Sequence, residues 1–444
     1  DMTRKYAKDA FFVLQDLCLW AAGSDTIFIL DETVDQGLVL DLIESVLVNH
    51  AAVVARHTSM LQILRERLAP FVVGFFAEKA PFTLAVRCIR IVWLFIRDLH
   101  VDLAPECEMF LSILTRLVDP GITSKGGRSS VSLSRSGGMQ PSKTVLGSGF
   151  PLFYRVLAME ILRNTLRDAQ LLHQLYAQFD GDSNADTDAE DCHVIADVLK
   201  AVGKVAAERP ELRVSNSDGI PGAQAVGGLA SEGESLDSKQ VGAHNCSLRT
   251  EMHKLLDKHE PPLMPEPYLA YLAFTALLGV TDGLAEHVLP LCTQNVACSA
   301  PATNLAPGSV LSSSLTLTDA RVLTAKQLLL RSWPVLLSVY TFYLVVRLDD
   351  LLFGQIMDTM QKLVQVSGAF ELNEARDGFL LLLCRNCLPQ AAIADHERQL
   401  QQGHRATLSP VDELEDGAEP KMHALPLVTT SLSGVTFTMN TRQI

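Results

Sequence analysis

The sequence predicts an all-α fold, an armadillo- or HEAT-like α-solenoid interrupted by disordered Gly/Ser-rich inserts. Apolar residues recur at helical spacing through most of the 444 residues. Short turns separate these runs, in the helical-hairpin rhythm of repeats of roughly 40 to 47 residues. Nearly half of the residues, 48%, are apolar and 20% are charged, which is enough to bury a large core.

The first predicted repeats occupy residues 1–119 and open with an amphipathic helix over residues 5–22. Thr33 with Gln36 has the spacing of a capping box. It predicts a second helix whose apolar residues face inward, namely Leu38, Leu42, Ile43, Val46 and Leu47. Prolines that begin or kink the following helices are Pro70, Pro81 and Pro105.

A helical hairpin opens the second group of repeats, residues 151–208. Pro151 suits a first helical turn, and Asp168 is placed to cap the next helix. The core-facing stripe of the first helix comprises Leu152, Val156, Met159, Leu162 and Leu166. Another amphipathic helix covers residues 192–208.

Low-complexity stretches separate these repeats. Residues 120–150 and 209–247 are rich in small polar residues and cannot bury enough apolar surface to offset ordering, so we expect disordered inserts. A third stretch of this kind spans residues 293–318.

The last predicted repeats cover residues 248–389, followed by a mostly disordered tail, 390–444, with a short extended or helix-starting segment near 435–444. Gly279 and Gly283 are expected to mark a junction in a long apolar helix. Asp349 and Asn373 are expected to cap the final two helices. The other predicted helices cover residues 248–257, 265–289, 320–332, 335–346, 350–366 and 373–387.

Bulk properties exclude some classes of function. The formal net charge of -14 argues against general nucleic-acid binding, which needs a basic face. Nine cysteines, scattered and odd in number, are typical of reduced thiols in cytosol. The most apolar windows, 81–99 and 328–346, contain arginines or a proline, so we expect buried helices there and not membrane spans.

An acidic run after the hairpin has the ligand spacing of a calcium-binding loop. The six positions are Asp180, Asp182, Asn184, Asp186, Asp188 and Asp191. Ala185 stands where the sharp turn needs glycine, and the last position is a short aspartate. A solvated acidic linker is therefore favoured over a metal site.

Cys384 and Cys387 form a lone C-x-x-C motif in a leucine-rich run. A structural zinc site needs a second ligand pair, and the spacing of His396 and His404 does not fit one. We expect buried thiols one helical turn apart. The sequence predicts no metal, no cofactor and no catalytic residue, because it contains no nucleophile elbow, phosphate loop, zinc-protease helix or kinase motif.

Six stretches carry a resemblance to known proteins, namely 9–20, 40–50, 106–119, 155–180, 260–274 and 375–389. In the same order, they resemble segments of the Mon-two family of Golgi and endosome trafficking scaffolds, which are related to the large Arf guanine-nucleotide exchange factors but lack the catalytic Sec-seven domain. In the family's short box upstream of Sec-seven, Phe179 and Asp180 match the pattern, whereas Gln178 and Gly181 depart from it. Arg376 and Asp377 match a polar pair of the family and are expected to form an ion pair or contact a partner.

The resemblance implies a non-enzymatic scaffold segment of a peripheral protein on the cytosolic face of trans-Golgi and endosomal membranes. It implies a large Dopey-family partner, Arf-like GTPases, and a role in endosome-to-Golgi retrograde traffic and recycling. One alternative is the regulatory upstream region of an active large Arf exchange factor. A HEAT-type nuclear transport receptor is the third possibility.

Overall fold

The computed structural model describes residues 2–29, 35–120, 150–181, 193–208, 241–242, 246–299, 320–346, 348–387, 428–432 and 435–439. The chain divides into two units, residues 1–387 and 388–444. Most of the predicted inserts, and most of the possible calcium loop, lie outside the described residues.

The first unit is helical, as predicted. Its N-terminal helices are α1 Met2–Ala21, α2 Gln36–Arg56, α3 Thr58–Ile63, α4 Ala69–Ala77, α5 Phe82–Asp98 and α6 Ala104–Val118. The next are α7 Leu152–Arg167, α8 Ala169–Phe179 and α9 Val194–Ala206. The last are α10 Tyr268–Ser299, α11 Ala320–Tyr343, α12 Asp350–Ala369 and α13 Asn373–Cys387.

These helices pack in a solenoid-like arrangement around a continuous apolar core. Near the N-terminus α2 packs against α1 and α5, and α7 packs against α5 and α6. Further along, α10 contacts α7, α9 and α12, and it also touches α8 and α11. Helix α10 therefore joins the central repeats to the last ones.

Helix-capping aspartates fix where several helices begin. Two predicted caps are confirmed: the Asp168 carboxylate accepts the Leu171 N–H at 3.0 Å, and the Asp349 carboxylate accepts the Leu352 N–H at 2.7 Å. The predicted cap Asn373 is instead the first residue of α13. The predicted capping box at Thr33 is wrong, since Asp35 is the N-cap of α2. Aspartate is as good an N-cap residue as threonine, so the capping-box spacing of Thr33 and Gln36 did not identify which residue caps the helix.

Two prolines leave the helical path nearly continuous. Before Pro70 the chain forms a π-helical turn, Leu64–Leu68, which absorbs the kink between α3 and α4. The predicted break between residues 332 and 335 is wrong, because α11 runs through Pro334 as one helix. Packing on both sides of Pro334, with Ser332 and Leu336 buried, offsets the one backbone hydrogen bond that proline removes.

The predicted junction at Gly279 and Gly283 is also wrong, because both lie inside the uninterrupted helix α10. These two glycines allow α10 to approach its neighbouring helices closely. A Cβ at Gly279 would lie 2.4 Å from the Arg167 Cγ, and one at Gly283 would lie 3.0 Å from the Ala169 Cβ. The missing side chains let α10 pack directly on the corner between α7 and α8.

Two helix boundaries differ from the sequence prediction. Helix α10 continues to Ser299, so the third insert begins later than residue 293. The helix predicted over 248–257 shrinks to a 3₁₀ turn, Met252–Lys254. Side-chain and backbone contacts of this turn, described below, replace the hydrogen bonds that a longer helix would form.

In the second unit, the described residues form an antiparallel hairpin of β1 Val428–Leu432 and β2 Val435–Met439. Val428 lies opposite Met439, and Leu432 lies opposite Val435. The short extended segment expected near 435–444 corresponds to β2. Its pairing with β1 was not predicted.

Five cysteine thiols are free in the described part of the chain. Cys18, Cys88, Cys107 and Cys246 are buried, and burial raises the pKa of Cys18 to about 12. The prediction of a buried thiol at Cys384 is wrong. Helix α13 buries the face of Ala375, Phe379 and Leu382, and Cys384 lies on the opposite face.

Candidate partner-binding surface

Phe179 and Asp180, the matched residues of the family box, lie at the end of α8 and contribute to the interior. Phe179 is half-buried against the core, and Asp180 is buried. The Asp180 carboxylate accepts the backbone N–H groups of Ile195 at 3.2 Å and Ala196 at 3.0 Å. Burial raises the pKa of Asp180, although these two N–H groups act in the opposite direction. Asp180 thus caps α9 from the preceding helix.

The two departures from the box have structural roles as well. The Gln178 side-chain amide donates to the His100 carbonyl oxygen at 2.8 Å and ties α8 to the end of α5. A Cβ at Gly181 would lie 2.5 Å from the Ala177 carbonyl oxygen, so this turn requires glycine. The box therefore fastens neighbouring helices together.

Arg376 and Asp377 form the ion pair predicted at the start of α13, with 2.8 Å between the guanidinium and the carboxylate. The Asp377 side chain is mostly exposed, and that of Arg376 is partly exposed. An exposed pair between neighbouring residues contributes little to stability. Contact with a partner at this position stays a prediction.

A buried carboxylate, Glu160 on α7, forms the polar centre of the fold. It is 1% exposed and accepts the Met252 and His253 N–H groups at 2.8 and 2.9 Å. The Tyr268 hydroxyl donates to it at 2.8 Å, and the His253 Nδ1 lies 2.8 Å away. These contacts fasten the 3₁₀ turn and the first residue of α10 to α7. Burial, together with the Glu160 charge and hydrogen bond, raises the pKa of Tyr268.

The 3₁₀ turn is also held from its other sides. Arg90 on α5 donates to the His253 carbonyl oxygen at 3.2 Å and forms an ion pair with Glu44 on α2. Glu251 pairs with Arg163 at 2.5 Å and with Lys254 at 2.6 Å. Helices α2, α5, α7 and α10 are thereby linked through one short turn. Sequence periodicity could not show that one turn links these helices. The position of Glu160, four residues after Val156 on the apolar stripe, does indicate a buried carboxylate that needs hydrogen-bond donors.

The outer face of α2 is apolar and uncovered. Leu38 is 51% exposed and Leu42 is 44% exposed, which contradicts their prediction as inward residues, whereas Ile43 and Leu47 are buried as predicted. Val48 is about half exposed on the same helix, and Val53, also about half exposed, follows a kink at His50. Leu152, also predicted in a core stripe, is half exposed at the first turn of α7. Exposed apolar patches of this kind mark contact surfaces on soluble proteins.

Two helices in the described residues are long and apolar enough to cross a membrane, α2 and the segment Tyr268–Pro290 of α10. Of their most apolar stretches, 33% is buried in α2 and 78% in α10. The high buried fraction of α10 is typical of a helix in the protein core. Within the described ranges, no cluster of three or more His, Cys, Asp or Glu side chains could hold a metal ion. The possible calcium ligands from residue 182 to residue 191 lie outside those ranges.

Comparison with known proteins gives matches along most of the chain. Residues 6–187 match the family model described as the Mon2/Sec7/BIG1-like HUS domain. The Protein MON2 homolog of Drosophila melanogaster is 22% identical over 415 residues, covering 86% of this chain and 22% of the relative. The Homo sapiens homolog is 22% identical over 436 residues, covering 86% of this chain and 23% of the relative. The Schizosaccharomyces pombe homolog is 22% identical over 297 residues, covering 63% of this chain and 16% of the relative.

The chain thus spans less than a quarter of the length of these relatives. No solved structure matches it. The HUS-domain match covers the helices from α1 to α8, and the relatives match in the later helices too. The HUS-domain match and the MON2 relatives support a Mon2 family protein, as the resemblance predicted.

Proposed function

We propose that this chain is a non-catalytic scaffold segment of a peripheral Golgi and endosome protein that acts in vesicle trafficking through protein–protein contacts. The observation that carries the proposal is the HUS-domain match together with MON2 relatives along most of the chain. The matched domain is the one that lies upstream of the catalytic Sec7 domain in the exchange factors. A helical array suits this function, because stacked helices offer long surfaces to other large proteins.

The proposed partners are a large Dopey-family protein and Arf-like GTPases. The proposed location is the cytosolic face of trans-Golgi and endosomal membranes, in endosome-to-Golgi retrograde traffic and recycling. We assign the outer face of α2 to the Dopey-family partner. Its Leu38 and Leu42 are exposed on a helix of which only the inner side joins the core. Burial of such side chains contributes roughly 25 cal/mol per Å² of apolar area removed from water.

The second candidate is the regulatory upstream region of an active Arf exchange factor. The matching family model covers that class too, since its description includes Sec7 and BIG1 proteins. The two functions differ in what a catalytic neighbour would add: an exchange factor accelerates nucleotide release, whereas a scaffold changes only where its partner is found. The MON2 names of the relatives favour the scaffold.

The test measures both properties. In cells that lack the endogenous protein, the full-length protein with Leu38→Ser and Leu42→Ser should leave the Dopey-family partner dispersed from Golgi and endosomal membranes. The matched control, Leu323→Ser with Leu330→Ser, changes two similarly exposed leucines on α11 and should recruit the partner normally.

Nucleotide release from Arf and Arf-like GTPases is measured with the purified 444-residue chain and with the purified full-length protein. Neither should accelerate it. Catalysed release by the full-length protein would replace the scaffold with the exchange-factor function. Unchanged recruitment after deletion of the whole helical unit would refute the scaffold.

A further inference from the structure

A polar cleft of about 570 Å³ opens beside the 3₁₀ turn, and its lining residues belong to elements other than α2. Its walls are the C-terminal half of α7, the segment from Ser247 to Lys254, the middle of α10 and one side of α12. The glycine at position 279 keeps α10 close to Arg167 at the base of the wall. The Glu160 contacts hold the turn in place, so the turn that forms one wall of the cleft is fixed to α7.

The carboxylates of the cleft are already paired with cations. Glu251 is shared by Arg163 and Lys254. Asp282 and Asp358 are both bound by the Lys362 ammonium, at 2.8 and 2.7 Å. Hydrogen bonds from Lys362 to these two carboxylates raise its pKa, so the lysine stays charged.

Two guanidinium groups of the lining, Arg167 and Arg249, have no carboxylate partner among the residues that the structure describes. Both side chains are exposed to the cleft or to solvent. In the same ranges the Thr250 and Tyr271 hydroxyls and the Gln355 amide have no hydrogen-bond partner either. The unfilled groups of the cleft are therefore two positively charged donors and three side chains that can donate or accept hydrogen bonds, on a chain whose formal net charge is -14.

A second depression, of about 460 Å³, adjoins the cleft and shares Leu248, Arg249 and Thr250 with it. Leu255 and Pro262 contribute to its largely apolar surface, which Lys258 and Glu260 also border. Arg249 stands on the boundary of the two. A ligand that fills both must carry a negative group beside an apolar group.

We propose that this cleft and the adjoining depression bind an acidic linear segment of a partner protein, with carboxylates on Arg167 and Arg249 and a neighbouring apolar side chain in the depression. An arginine fork binds a carboxylate through two parallel hydrogen bonds, which gives both affinity and orientation. A peptide fits better than a flat anionic membrane, because the arginines line a concave cleft and the adjoining depression can take one apolar side chain. This inference rests on the proposed scaffold function and names the chemistry of one of its partners.

The experiment uses the purified 444-residue chain and a short fluorescent peptide with two glutamates for each leucine. Fluorescence anisotropy should show saturable binding that weakens as salt increases. The same peptide with glutamine in place of glutamate should not bind. Arg167→Gln and Arg249→Gln should each weaken binding by about tenfold, and the double variant by more.

The matched control is Arg56→Gln with Arg385→Gln, which removes two exposed arginines elsewhere on the same unit and should leave binding unchanged. Arg249→Gln alone keeps the test decisive if loss of the Arg167 stem disturbs its packing on Gly279. Equal weakening by the control pair, or equal binding of the glutamine peptide, would overturn the proposal. Absence of saturable binding would also overturn it.

Inorganic phosphate and vesicles containing anionic lipid are added as competitors. Neither should displace the peptide at concentrations where unlabelled acidic peptide does, and displacement by vesicles alone would assign the cleft to a membrane instead. Membrane recruitment of the partner in the α2 test is a separate measurement. If the α2 test gives the expected recruitment results while peptide binding fails, only this inference is lost. If recruitment is unchanged even after deletion of the whole helical unit, it is the scaffold function that is lost.

Discussion

Helices α2 and α10 have similar apolar compositions and opposite surroundings. Each is long and apolar enough to cross a membrane, yet the most apolar stretch of α2 is 33% buried and that of α10 is 78% buried. Helix α10 lies among α7, α9 and α12, whereas α2 packs on one side against α1 and α5. Composition therefore does not distinguish a core helix from a helix with an exposed apolar face. The number of helices that pack around each helix distinguishes the two.

The largest expected difference between these helices comes from one buried charge. Leu277→Asp on α10 replaces a fully buried side chain, and it should lower the free energy of unfolding by about 5 kcal/mol or prevent folding. Leu42→Asp makes the same change on the outer face of α2 and should stay within about 0.5 kcal/mol of the wild type. Urea denaturation followed by circular dichroism measures both. Similar losses in the two variants would show that the α2 face is covered in solution.

A smaller effect should come from the carboxylate that anchors the start of α10. In Glu160→Gln the amide nitrogen would face donors that now bind a carboxylate oxygen, so at least one of them loses its acceptor. We expect a loss of about 2 to 3 kcal/mol in the free energy of unfolding. The control Glu374→Gln, on an exposed residue of α13, should change stability by less than about 0.5 kcal/mol. A loss no larger than the control's would mean that α10 is held by apolar packing alone.

The smallest effect concerns pH. His173 on α8 is buried and stacks on His287 of α10, and burial, assisted by the His287 charge, lowers the pKa of His173 from 6.5 to about 4. The unfolded chain takes up the proton first, so this contribution to stability is full above pH 6.5 and falls as the pH approaches 4. Between about pH 7 and about pH 5.5 the loss should be about 1 kcal/mol.

Thermal melts of His173→Phe test that prediction, because phenylalanine keeps the stacked ring without the titrating group. The variant should lose less stability than the wild type over this acid range. His50→Phe, at an exposed position of α2, is the control and should behave like the wild type. An unchanged acid dependence in His173→Phe would assign the effect to other groups.

Local features of the fold were predictable because their causes are local. Asp168 and Asp349 cap the helices that follow them, and Arg376 pairs with its neighbour Asp377. Each of these contacts joins residues at most three positions apart. The helical class follows from the same range of interaction, since apolar spacing reports which side of a helix can be buried.

Features that depend on distant residues were missed or misassigned. Leu38 and Leu42 have helical core spacing, but nothing in the described structure covers their face of α2. Gly279 and Pro334 were interpreted as breaks, yet packing carries the helices through both. Glu160 could be identified as an unusual residue in an apolar stripe, but its acceptor role depends on a turn more than ninety residues later.

The sequence by itself determined the helical class and the helix starts that are set by local caps. These properties depend on residue type and on neighbours within about one turn of helix. Only the tertiary structure decided that α10 is the buried connector, that Asp180 and Glu160 serve the interior, and that α2 and the arginine-lined cleft remain open. Each of these depends on which helices meet. That meeting depends on contacts between residues far apart in the chain, about which periodicity along one helix carries no information.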